Sequence, residues 1–82
     1  MSDELDLGEA ADYILSERPE MPEEVVWAVL NELRDPPARS QQKIALRLLA
    51  QTRPEVRARD ARRILDEWRA YADLAQGPDW DN

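Results

Sequence analysis

Ile44-Ala45-Leu46-Arg47-Leu48-Leu49-Ala50-Gln51-Thr52-Arg53-Pro54-Glu55-Val56 is the stretch that decides the fold. Ile44, Ala45, Leu46, Leu48, Leu49 and Ala50 cover most of the circumference of a helix, and only Lys43, Arg47 and Gln51, at steps of four, make a clear polar stripe. Strong helix formers dominate and β-branched residues are few, so the chain reads as all-α. A helix that is apolar nearly all round belongs in the middle of a bundle, which makes helix 3 the expected central element. The competing expectation is that part of it waits for another chain.

Working outward, prolines and one late glycine cut the chain into four pieces. Helix 1 spans about 7–17. Asp6 and Glu9 resemble a capping box, Leu7, Ala10, Ala11, Ile14 and Leu15 share a face, and Pro19 ends it. Helix 2 spans about 22–34, with Pro22 at its first position, Glu23 and Glu24 at the positive end of its dipole, and Asp35-Pro36-Pro37 as its stop. Helix 3 spans about 39–51 and helix 4 about 55–75, ahead of Gly77-Pro78. Two starts for helix 4 compete. Thr52 with Glu55 could cap it directly, or Arg53-Pro54-Glu55-Val56 is a connector and the helix starts near Ala58. Residues 1–76 are then one helical domain and 77–82 an acidic tail.

Arg18-Pro19-Glu20 recurs as Arg53-Pro54-Glu55, an offset of 35, and six of the 17 positions of 18–34 are identical to those of 53–69. Such a period suggests two αα-hairpins, neither able to bury its apolar stripe alone, packed on one another. The stretch Leu48-Leu49-Ala50-Gln51-Thr52-Arg53-Pro54-Glu55-Val56-Arg57 also resembles a HEAT repeat, whose two helices often turn at a Pro-x-Val-Arg-like step. The resemblance covers about 25 residues of one unit, and in the other unit Pro22 stands at the arginine position. It implies a protein-binding scaffold without catalysis.

Composition narrows the chemistry. The 82 residues include no Cys and no His, so there is no thiol nucleophile, thiolate metal site or imidazole base. Gly8 and Gly77 are too far apart for a phosphate-cradling loop, and no acidic spacing fits a hard-cation loop. No catalytic, cofactor or metal residues are expected, and no small-molecule substrate. The longest apolar run, Val25 to Leu30, cannot span a bilayer. The acidic start Met1-Ser2-Asp3-Glu4-Leu5-Asp6 lacks the basic and apolar regions of a secretory signal, which points to the cytoplasm.

The net charge of −7 is uneven: −9 over residues 1–35, +5 over 36–71 and −3 over 72–82. Acidic helices 1 and 2 beside basic helices 3 and 4 would make complementary surfaces within one bundle. Two functional expectations stand beside that reading, the first from the over-wide apolar arcs of helices 2 and 3 and the absence of catalytic chemistry, the second from the arginines of helix 4. The first is a small non-catalytic regulator or adaptor that binds another protein, or a second copy of itself, through an apolar and charged helical face. Its candidate contact residues are Trp27, Arg34, Arg47, Arg62 and Trp80, with Trp68 assigned to the core. The second is a helix-turn-helix nucleic-acid binder that uses Arg57, Arg59, Arg62 and Arg63 on helix 4. The i, i+4 spacings Arg62–Asp66, Arg63–Glu67 and Arg69–Asp73 weigh against it, because they place a carboxylate within reach of each arginine.

Overall fold

The computed structural model describes residues 7–76, which form an all-helical globule with no strand among them. The helices are α1 (Leu7–Glu17), α2 (Glu23–Leu33), α3 (Gln42–Thr52) and α4 (Ala58–Gln76), and a short 3₁₀ turn at Arg39–Gln41 leads into α3. The Asp6 half of the expected capping box, Gly77-Pro78 and Trp80 lie outside the described residues.

Local chemistry sets the ends. Pro22 is extended (φ −64°, ψ 134°) and caps α2 from outside, its carbonyl accepting from the backbone N–H groups of Val25 and Val26. The helix therefore begins one residue later than the sequence suggests. Arg34 closes α2 at φ 71°, a left-handed backbone on a residue with a Cβ. The expected start of α4 near residue 55 is corrected to Ala58. Thr52 cannot cap α4, because its hydroxyl donates to the Leu48 carbonyl at 3.0 Å and finishes α3 instead. Arg53-Pro54-Glu55-Val56 is a tight turn closed by Val56 N–H to Arg53 C=O at 2.9 Å, and Arg57 C=O accepts from Ala61 to open the last helix. The Arg18–Met21 segment is built in the same way. Arg18 N–H bonds Ile14 C=O, Met21 N–H bonds Arg18 C=O, and Met21 is buried as Val56 is.

α4, the longest helix, packs against all three others, whereas α1 and α3 do not approach one another. The core is therefore centred on α2 and α4, with α1 and α3 as flanks. Val26, Val29 and Leu30 of α2 and Ala61, Ile64, Leu65 and Trp68 of α4 are buried, joined by Ala10, Ala11 and Ile14 of α1. Leu33 and Trp27 are half-buried and packed on this core, so the broad apolar arc of α2 is covered. The expectation that α3 is central does not hold. Only its Ala45 and Leu49 are buried, because α2 and α4 both lie on one side of it.

Two ion pairs cross between the hairpins. Arg18 Nε lies 3.3 Å from Glu67 Oε2, and Arg53 Nε lies 3.3 Å from Glu32 Oε1. Arg69 fastens the α2–α3 connector to α4, its Nη2 donating to the carbonyls of Pro36 at 3.4 Å and Pro37 at 2.6 Å. Two consecutive prolines offer carbonyls but no N–H, so a cation is the fitting partner for this segment.

Candidate functional site

Two large hydrophobic side chains stand uncovered one turn apart on the outward side of α3; the third exposed one among the described residues, Leu74, stands apart near the end of α4. Ile44 is 64% exposed and Leu48, one turn on, is 42% exposed. Their neighbours on that side are Lys43, Arg47 and Gln51, all exposed, and no residue of α3 is acidic. The face is thus an apolar ridge edged by positive charge.

Where the start of α3 meets α4, Arg39, Gln42, Lys43, Arg62, Asp66 and Arg69 line an open groove of about 550 Å³. Gln42 Nε2 donates to Asp66 Oδ1 at 3.1 Å across the floor between the helices. Arg69 is held by the proline carbonyls and also approaches Asp73 at 3.8 Å. Among the described residues, Arg39, Lys43 and Arg62 take part in no ion pair, so they supply the positive field of the groove.

This departs from the expected local pairing on α4. Of the three i, i+4 pairs that the spacing allows, Arg69–Asp73 is present. Glu67 instead turns to Arg18 of the α1–α2 connector, and Asp66 accepts from Gln42. Each carboxylate thus meets a partner from elsewhere in the chain in place of the arginine one turn before it on α4. Arg57, Arg59, Arg62 and Arg63 therefore have no ion-pair partner among the described residues.

The candidate contact residues scatter. Arg47 lies exposed on α3 beside Leu48, and Arg62 joins Lys43 and Arg39 in the groove. Trp27 packs on the core, Arg34 is the exposed cap of α2, and Trp80 is outside the described residues. Ile44, Leu48, Lys43 and Arg39 complete the surface, and none of them is among the candidate contact residues read from the sequence. Their signal was available: a helix apolar all round and free of acids needs cover on every side, and two neighbours on one side cannot give it.

Among the described residues no group of three or more carboxylates is placed to hold a metal ion, and no helix is long and apolar enough to cross a membrane. No protein-family model matches the chain, and neither a curated protein nor a solved structure matches it.

Proposed function

We propose that this chain is a small non-catalytic interaction module, a regulator or adaptor, that docks a partner on the outer face of α3. The observation that carries the reading is the pair Ile44 and Leu48, exposed one turn apart on a helix otherwise anchored by Ala45 and Leu49. Scattered single apolar residues on a surface are ordinary, but two adjacent ones edged by Lys43 and Arg47 make a small hydrophobic centre with a polar rim. A cytoplasmic location belongs to the same proposal, supported by a chain in which 35% of residues are charged.

Site-specific photo-crosslinking in the source cells tests the docking face. A crosslinker at position 44 or 48 should yield a discrete adduct that one at exposed Ser16 or Glu24 does not, and Leu48→Glu should abolish the adduct formed from position 44. Equal adducts from all four positions would remove α3 as the docking face.

A second reading has its own observation. Arg57, Arg59, Arg62 and Arg63 have no ion-pair partner among the described residues, and phosphates would suit them. Salt-dependent retardation of duplex DNA, lost in Arg62→Ala/Arg63→Ala, supports it. No retardation at low salt removes it.

A further inference from the structure

The form of the docked partner can be read from how the two hairpins are arranged. Shifted by 35, α1 at 7–17 falls on 42–52, the span of α3, and Arg18 and Glu32 fall on Arg53 and Glu67. The crossed pairs Arg18–Glu67 and Arg53–Glu32, both 3.3 Å, are reciprocal: each half offers its arginine to the other half's glutamate. Reciprocity of this kind is the signature of a two-fold relation, as in an isologous dimer, and a purely translational stack does not produce it. Under that relation α4 lies on α1 as α2 lies on α3.

The two halves then differ in one respect. α4 has 19 residues and α2 has 11. The extra turns of α4 continue along α1, where the Tyr71 ring lies 5.7 Å from that of Tyr13 and the Tyr71 hydroxyl donates to Glu9 at 3.0 Å. The equivalents of Glu9 and Tyr13 on α3 are Ile44 and Leu48, both exposed. α2 stops at Leu33 and leaves no corresponding helix along them.

Charge defines the occupant further. α3 and its approach present Arg39, Lys43 and Arg47, with Arg62 beside them, and α3 has no acid. A second copy docked by two-fold symmetry through this face would set Lys43 and Arg47 against themselves, which like-charge repulsion disfavours. The chain's overall −7 acts at longer range and is largely screened beyond about 8 Å at physiological ionic strength. We propose that the Ile44–Leu48 face of α3 receives an acidic amphipathic helix from another protein, seated as the end of α4 is seated on α1. Its apolar residues, one turn apart, cover Ile44 and Leu48, and its carboxylates meet Lys43 and Arg47. This inference rests on the reading of α3 as the docking face.

The test uses the full chain, isotope-labelled, and two designed amphipathic peptides of about 14 residues, roughly four helical turns. They share one leucine stripe, and their polar faces are all Glu or all Lys. The Glu peptide should shift the amide resonances of residues 43–51 and bind roughly tenfold more tightly than the Lys peptide, as several exposed ion pairs together allow. Lys43→Glu/Arg47→Glu should reverse that preference. Equal binding of both peptides, shifts located elsewhere, or no binding of the Glu peptide would overturn the acidic helix. Position-44 crosslinks would still uphold the docking face in those cases, so the two failures are separable. A dimer in sedimentation equilibrium that Ile44→Glu dissociates would also overturn it and assign the face to a second copy. Circular dichroism confirms that each variant is folded.

Discussion

Arg34 holds its backbone at φ 71° to end α2, with its N–H bonded to Leu30 C=O at 2.7 Å. A Cβ in that region costs roughly 1–2 kcal/mol, and glycine is free of the clash. Arg34→Gly should therefore raise stability by about 1 kcal/mol, seen as a higher urea midpoint at unchanged slope, although glycine also loosens the unfolded chain. An unchanged or lower midpoint would mean that the arginine side chain contributes at this position. Tyr13 makes a second prediction at this scale. Burial, followed by the charges of Glu17 and Glu67, raises its hydroxyl pKa above the ordinary value of 10.0. The folded state thus holds this proton more tightly than the unfolded chain. The associated stability is complete below about pH 10 and is lost as pH rises through the folded pKa. Thermal unfolding of Tyr13→Phe should fall off less steeply with pH above 10 than that of the parent, and a parallel decline would exclude the effect.

At the scale of elements, connectors matter as much as helices. The Pro36-Pro37 segment carries no N–H of its own to bond with, so its attachment to α4 depends on Arg69. Hydrogen bonds from a charged donor are worth about 1.5–3 kcal/mol, and Arg69 is only partly exposed. Arg69→Ala should cost about 2 kcal/mol in chemical denaturation, with faster amide exchange concentrated in residues 34–41. Arg69→Lys should recover only part of this, since one ammonium cannot reproduce the guanidinium fork. A loss below about 0.5 kcal/mol would show that the prolines stay seated without it.

For the whole molecule, an incomplete cover on one flank is the central feature. The buried residues of α2 and α4 hold the fold from the middle, so the outer face of α3 is free to vary without endangering it. Ile44→Glu/Leu48→Glu should change stability by no more than about 0.5–1 kcal/mol while abolishing binding of the Glu peptide. A collapse in the melting temperature would instead make these two side chains part of the core.

Four helices, their proline punctuation and the buried stripe of α4 through Ile64, Leu65 and Trp68 were all determined by the order of residues, because helical periodicity and backbone chemistry are local. Local spacing also allowed ion pairs within α4, but it could not show that Arg18 and Gln42 compete for Glu67 and Asp66 from elsewhere in the chain. Nor could it rank the helices. Periodicity tells which side chains share a face, whereas burial depends on how many neighbours a helix acquires. Only the tertiary structure decided that α2 and α4 lie at the centre and that α3, whose apolar residues spread over most of its circumference, keeps one side in water: two helices packed on one flank cannot reach around to the other.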